Sequence, residues 1–407
     1  DKAGKEIDWI VGYAPPADAY LEKIQKAIRG VDTFRSLAEL YAKDPKNIEA
    51  IYKLARKYDQ KFSTVDKADE LYRQIIALDP EGKAGLVDVD YPKVKVPYTE
   101  YAEFILGRKK ALGAKADPAP MRSFIEKYPK SPLVKTGYMF MSVYYGNYAS
   151  PSEARAFFEE YTAKYPDDVQ ALGAYVRRII KDKEQLDRGI QLAEKIAELT
   201  SYNPDPYDTQ NLAELHWLKG EKDKAEEIFG KDFMSRQRSN AAYQLASFAG
   251  FWSERETHFE EAVEAIELAI KIQPDVPYLR QTAAAIYSKA GRPERALEAF
   301  GPEYAKQNRD RTDALYPYAW YWNGQGTNLE SALEAIDRVI EIQPGLTYFD
   351  IRAQILLKLK RYDEALKAAE RALALAGESA KRRPGFSIKT YEARVQEIKA
   401  AMAGEKK

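Results

Sequence analysis

Apolar residues in this chain recur at helical spacing, and one arrangement of them returns along its length. Ala68 is followed twelve residues later by Pro80, Ala154 by Pro166, Ala262 by Pro274 and Ala332 by Pro344. Within these segments Ala262 has Ile266 and Ala269 four and seven residues on, Ala332 has Ile336 and Val339, and Ala68 has Tyr72 and Ile75. Offsets of four and seven mark one face of a helix. A small Ala on that face admits a neighbouring helix, the bulkier residues fill the space behind it, and Pro, which has no N–H, stops the ladder. Each segment reads as a helix with a fixed end.

A second amphipathic segment precedes each of these helices. Upstream of Ala296, Ala284 lies twelve positions back and Tyr287 nine back, with Gly291 at the turn. Upstream of Ala365, Ala353 lies twelve back, and Lys360-Arg361-Tyr362-Asp363 forms the corner. The unit is a helical hairpin. Anchored on the small residue of the second helix, the series runs Ala68, Ala116, Ala154, Gly189, Ala225, Ala262, Ala296, Ala332 and Ala365, and its last six intervals are 35, 36, 37, 34, 36 and 33 residues. Stacked hairpins must keep such a period, because each buries its apolar face only on its neighbours, whereas a single bundle has no reason to. This order of small and aromatic residues, then Ala with a bulky partner, then Pro, resembles the tetratricopeptide repeat, whose period is about 34 residues. The resemblance runs over roughly residues 32–400, within a repeat array taken as 32–407, and implies an all-α fold: a tetratricopeptide-type α-solenoid, a right-handed superhelix of helical hairpins.

Two stretches break the pattern. Residues 82–98 alternate Val with Asp or Lys at a period of two, which predicts extended chain or an edge strand, with Pro92 and Pro97 excluding a central one. A long inter-repeat loop and a binding loop are both consistent with it, and helix resumes near Thr99 with Tyr98, Tyr101, Phe104 and Ile105 on one face. Residues 1–31 open with a turn at Ala3-Gly4, continue through a β-branched stretch over 7–13, and predict an amphipathic helix over 16–28 with Leu21, Ile24, Ala27 and Ile28 inward. The Asp1-to-Glu6 turn, Val11-Gly12-Tyr13 and the closing helix resemble the C-terminal end of a thioredoxin-like domain, giving a short N-terminal α/β remnant. That resemblance implies a Cys-x-x-Cys centre upstream of Asp1, so that no catalytic residue carries over, and a bacterial periplasmic or secreted location. A cap on the end of the solenoid is the alternative reading. A chain that opens on Asp1 without a leader is expected to be a mature or truncated product.

Composition narrows the chemistry. Lys+Arg and Asp+Glu are 63 each, so there is no basic surplus for a nucleic-acid backbone or an anionic membrane. No apolar run approaches the roughly 18 residues that insert into a bilayer. The absence of cysteine removes disulfides, thiolate nucleophiles and Cys-containing zinc sites, and the two histidines, His216 and His258, are too far apart in sequence to share a helix face. Phosphate-cradling Gly-rich loops and nucleophile elbows are missing, and adjacent pairs such as Glu159-Glu160, Glu226-Glu227 and Glu260-Glu261 point to different helix azimuths, which suits surface charge. The expectation is a protein without catalytic activity, cofactor or metal.

What remains is binding. In the tetratricopeptide subfamily that grips a chaperone's terminal carboxylate, Lys and Asn stand fifteen and eleven residues before the second-helix Ala. Here those positions hold Lys53/Lys57, Met139/Val143, Gln210/Glu214, Ser247/Phe251, Gln281/Ala285, Pro317/Tyr321 and Asp350/Gln354, and no hairpin has the pair. These positions and their neighbours are instead aromatic and amide-rich: Tyr207, Gln210, Trp217, Phe251, Tyr278, Gln281, Tyr321 and Gln354. Rings offer large apolar area with few rotors, and amides fix register, which suits a peptide or protein partner in a concave groove. The expectation is a protein-interaction scaffold in which Phe251→Ala or Tyr278→Ala weakens capture without unfolding. Alternatives are an accessory region of a thiol-disulfide protein and a subunit that self-assembles into homo-oligomers through open solenoid ends. Trp320 falls on the small-residue position by the fixed offset and is expected in the core.

Overall fold

The computed structural model describes residues 7–9, 17–60, 65–89, 92–113, 116–201, 205–230, 242–301, 303–382 and 386–405. The chain divides into two compact units, residues 1–166 and 167–407.

In the first unit the helices Phe34–Lys43, Ile48–Asp59 and Val65–Leu78 are followed by two strands and then by Tyr98–Leu112, Ala119–Lys127, Val134–Asn147 and Pro151–Lys164. Caps set the starts: Thr33 accepts from the Ser36 N–H, Asn47 from Ala50, and Ser150 forms a reciprocal box with Glu153. The alternating stretch is a β-hairpin in which Val87 faces Val96 and Asp88 faces Lys95. Val87, Val89 and Val96 are buried, while Asp88 and Lys95 pair at 3.3 Å on the outer side, which is the physical reason for the period of two. Asp79 ties its entry: its carboxylate accepts from the Lys83 and Ala84 N–H groups, and its carbonyl accepts from the Thr99 hydroxyl.

Two expectations are corrected in this unit. Ala116 does not anchor a second helix, because Pro118 holds the chain out of helix until Ala119. Fully buried Met121 takes that place, and a Cβ on Gly107 or Gly137 would come within 3.1 Å of it, so glycine on both flanking helices makes its room. The N-terminal helix spans Ala17–Ile28, but Leu21 and Ile28 are 52% and 78% exposed, because its neighbours cover only the side of Ile24 and Ala27. The thioredoxin-like turn at 1–6 and most of the extended stretch, 10–13, lie outside the described residues. Asp8 does dock on the first hairpins: it accepts from the Phe34 N–H and pairs with Lys57 at 2.7 Å, beside a Trp9–Phe34 ring contact.

The second unit runs as first and second helices in alternation. The first helices are Val169–Asp182, Pro206–Lys219, Ala242–Glu254, Pro277–Lys289, Thr312–Gln325 and Leu346–Lys358. Their partners are Leu186–Leu199, Lys222–Phe229, Phe259–Ile272, Arg295–Phe300 with a short turn at Tyr304–Gln307, Leu329–Ile342 and Tyr362–Arg382, and Lys389–Glu405 follows. Pro274 and Pro344 fall two residues past Ile272 and Ile342, as Pro80 and Pro166 do past Leu78 and Lys164 in the first unit. Ala225, Ala262, Ala296, Ala332 and Ala365 are at most 1% exposed. Gly189 serves the same end: a Cβ there would stand 2.7 Å from Leu215 and 2.9 Å from Ile179. From Pro206–Lys219 to Leu346–Lys358, each first helix also packs directly on the next first helix. That side of the array is its tighter side, and the outward faces of the first helices form a continuous strip on it.

Candidate functional site

The strip is aligned on a fully buried alanine in each of these first helices, Ala213, Ala249, Ala284, Ala319 and Ala353, all 0% exposed; Ala242, Ala283 and Ala314 are equally buried at other positions of their helices. Ala213, Ala284 and Ala353 lie twelve residues before the second-helix alanine, but Ala249 and Ala319 lie thirteen before theirs. The extra residue is absorbed at the corner. Corners of the shorter kind carry one left-handed residue each, Gly220, Gly291 or Lys360, whereas the longer corners carry two, Glu256 with His258 and Gly326 with Asn328. Asn328 also donates to the Tyr318 hydroxyl at 2.9 Å, holding the longer turn to its own first helix.

This one-residue shift decides which side chains face out. Phe251 and Tyr321, expected in the groove from a fixed offset, are 2% and 3% exposed and belong to the core. Phe251 meets Phe229 and Trp252 edge-on, at 5.1 and 4.8 Å between ring centroids. Its other face lies 3.5 Å from the Arg255 guanidinium, which also sits 5.5 Å from Trp217 and pairs with the Glu214 carboxylate. Burial pushes the Arg255 guanidinium down to about 10, which leaves it charged at neutral pH. Tyr321 donates to the Ala284 carbonyl at 3.0 Å and shares a bond with the Ser288 hydroxyl, and burial raises its phenol. In their place Gly250 and Trp320 face out. Trp320 is 51% exposed, contrary to its expected core position, because Ala319 fills the small-residue site.

The amides mostly bind helix to helix. Gln210 accepts from the Ser247 hydroxyl on the next first helix. Gln354 accepts from Asn323 at 2.9 Å and donates to Asp350 at 2.7 Å, and Arg394 reaches that carboxylate at 3.5 Å. Trp217 is half-buried, edge-on to Trp252 at 5.8 Å and covered by Lys222 at 4.9 Å. Gln281 is half-buried on the outward face. Tyr207 and Tyr278 are open, at 61% and 53% exposure, and Tyr243, which the fixed offset missed, is 53% exposed beside them.

These three tyrosines occupy one position. Each stands six residues before its helix's buried alanine, Ala213, Ala249 or Ala284, on three successive first helices. None of their side chains makes a hydrogen bond or ring contact to another described residue. Beside the row the floor is low, since one residue after the buried alanine stand Gly250 and Ala285, and a Cβ on Gly250 would meet nothing within 4 Å. The signal that would have found Tyr243 is its offset from Ala249 in its own helix, not from Ala262 in the next.

Among the described residues no group of three or more His, Cys, Asp or Glu is placed to hold a metal ion, and no helix is long and apolar enough to cross a membrane. The tetratricopeptide repeat family model matches residues 348–379, the hairpin of Leu346–Lys358 and Tyr362–Arg382. No curated protein matches the sequence. Among solved structures, yeast Tom70 is similar over 96% of this chain and 76% of its own, with 14% identity and a TM-score of 0.50. A tetratricopeptide repeat protein from Parabacteroides merdae aligns over 74% of this chain and 98% of its own, at 11% identity and a TM-score of 0.35. The C-terminal part of a repeat protein of the same kind from Cytophaga hutchinsonii aligns over 62% and 99%, at 14% identity and a TM-score of 0.32. The chain carries a tetratricopeptide repeat at 348–379, and its fold is a tetratricopeptide-type α-solenoid.

Proposed function

We propose that the chain is a non-catalytic scaffold that holds a polypeptide along the strip of first helices between Pro206 and Lys358. The observation that carries this reading is the row of Tyr207, Tyr243 and Tyr278, three rings more than half exposed at one helical position, beside a floor lowered by Gly250 and Ala285. Exposed rings in a continuous row are costly to leave in water and gain most when an apolar ligand surface covers them. Small residues between them leave depth for a main chain. Trp320 and Gln281 extend the contact surface toward the C-terminus.

The test is a peptide array probed with purified protein, wild type against the double variant Tyr243→Ala/Tyr278→Ala. The expected outcome is enrichment of particular peptides by the wild type, lost in the variant while circular dichroism and melting temperature stay unchanged. Enrichment that survives in the variant would show that the contact surface lies elsewhere.

A further inference from the structure

The hairpin of Pro277–Lys289 and Arg295–Phe300 departs from its neighbours in a way that leaves room. The second helices before and after it, Phe259–Ile272 and Leu329–Ile342, have 14 residues each, but this one stops after 6, where Gly301 turns the chain at a φ of 86°. Glycine takes that conformation without the penalty that a Cβ brings. The chain resumes as the single turn Tyr304–Gln307, and a cavity of about 440 Å³ opens between that turn and the stretch from Pro274 to Arg280. We propose that this cavity binds a hydroxylated carboxylate of sugar-acid size, its charge held by Arg280 and Arg311 and its oxygen by the Tyr304 hydroxyl. The proposal does not rest on the tyrosine strip.

Both guanidiniums line the cavity. Arg280 donates to the Ala299 carbonyl at 2.9 Å and to the Pro274 carbonyl at 3.3 Å, bonds that hold the side chain in place. No carboxylate of a described residue pairs with it. Arg311 donates to the Asp275 carbonyl at 3.2 Å and pairs with Asp313 at 2.8 Å, so its charge is already met. Tyr304 completes the set. It is 5% exposed, its ring lies 5.2 Å from Phe300 and 5.6 Å from Tyr318, and its hydroxyl bonds to no described residue. Burial pushes the phenol up to about 12 while Arg280 and Arg311 act against that rise, so both guanidiniums stand near its oxygen, which keeps its proton at neutral pH. A buried phenol ordinarily has a hydrogen-bond partner, and an occupant of the cavity supplies one here.

The charges select the ligand's chemistry. Arg280 brings a positive charge with no acidic partner, and the exposed Asp275 lies on the same lining. A single uncompensated cation beside an acid matches a monoanion and opposes a dianion such as a phosphate monoester. Guanidinium and carboxylate also match as a planar, two-pronged pair. The volume exceeds what a bare ion needs and falls within the roughly 300–1,000 Å³ of small-molecule sites. Gln307 and Asn308 add amide groups to the lining, which suits a body that carries hydroxyls.

The experiment titrates glucuronate, glucose 6-phosphate and glucose into the full chain and follows each by saturation-transfer NMR, so that one ring is offered with a carboxylate, a phosphate or neither. Glucuronate is expected to bind saturably, glucose 6-phosphate more weakly and glucose not at all. Arg280→Gln should weaken glucuronate about tenfold or more. Tyr304→Phe, which keeps the ring and loses only the hydroxyl, should weaken it a few-fold with unchanged melting, and it decides the matter if Arg280→Gln lowers the melting temperature. Absence of glucuronate binding overturns the proposal, as does binding that is indifferent to Tyr304→Phe. Tighter binding of glucose 6-phosphate than of glucuronate overturns the assignment to a carboxylate.

Discussion

Replacing Phe251 by Ala is expected to destabilise the second unit without acting on the binding strip directly. The ring is 2% exposed and fills the space between Phe229, Trp252 and the Arg255 guanidinium. A buried Phe removes on the order of 150–250 Å² from water, and its truncation in a core costs roughly 3–5 kcal/mol. The loss of the ring from beneath Arg255 is part of that cost, since Arg255 keeps Glu214 but loses the face it stacks on. For a unit of this size the melting temperature falls by roughly 2–4 °C per kcal/mol, so a decrease on the order of 10 °C is expected. Repeat arrays need not unfold in one step, so the melt is read by both circular dichroism and Trp fluorescence, and hydrogen exchange follows the helices Lys222–Phe229 and Ala242–Glu254. Trp320→Ala is the control: a ring 51% exposed on the outward face should change stability by no more than about 1 kcal/mol. If Phe251→Ala melts with the wild type and lowers peptide binding instead, the thirteen-residue register is wrong and the ring lies in the groove.

Three further outcomes follow from single sites. Gly189→Ala should destabilise by about 1–3 kcal/mol, since its Cβ would stand 2.7 Å from Leu215, whereas Gly250→Ala, with nothing within 4 Å, should stabilise by about 0.5–1 kcal/mol; thermal melts of the two variants compare them. Asn328→Ala should cost about 1 kcal/mol more than Asn328→Gly, because φ is 49° there and only Gly escapes the Cβ penalty, and denaturant midpoints report the difference. Glu221 is held down to about 2 by Lys219 first, then His216 and Lys224. Its pKa is depressed below the ordinary 4.5, so its contribution is present above pH 4.5 and is lost as pH falls toward 2. Glu221→Gln should flatten stability against pH in that window, and added salt should shrink the difference, which acid titrations of both proteins measure.

The hairpin array was legible because its marks are local and chemical. Proline lacks the N–H that the helix ladder needs, so Pro80, Pro166, Pro274 and Pro344 report helix ends, whereas Pro317 is accommodated early in Thr312–Gln325. Likewise the Val alternation at 86–97 reports a strand pair with one face covered. The longer corners were not legible, since beside Gly326 their left-handed residues are Glu256, His258 and Asn328. Glycine announces a positive φ in sequence, but these residues adopt it under the constraint of two packed helices, a tertiary effect with no local mark. The missed residue at each corner turned Phe251 and Tyr321 inward and brought Gly250 and Trp320 out. Ala116 misled for a similar reason, because a small residue was the mark sought and Met121 does the same work between two glycines.

The longer corners also bear on how such a strip acquires a shape. An extra corner residue turns the first helix by about 100° relative to the fixed offset, which exchanges a large outward side chain for its neighbour in sequence. In the Ala242–Glu254 helix the exchange replaces Phe251 by Gly250 and deepens the floor; in Thr312–Gln325 it replaces Tyr321 by Trp320 and raises a wall. The second helices are indifferent to this, for Ala262 and Ala332 remain fully buried with Ile266 and Ile336 behind them. Corner length is thus a variable that redraws the binding surface while the packing that stabilises the array stays fixed. Removing the extra residue should therefore be tolerated where the incoming residue is small and not where it is large: deleting Thr257 brings Gly250 to the place of Ala249, whereas deleting Thr327 brings Trp320 to the place of Ala319. Thermal melts of the two deletion variants read the difference: the Thr327 deletion should melt well below the Thr257 deletion, and equal melting temperatures would mean that the corner does not set the register of the first helix.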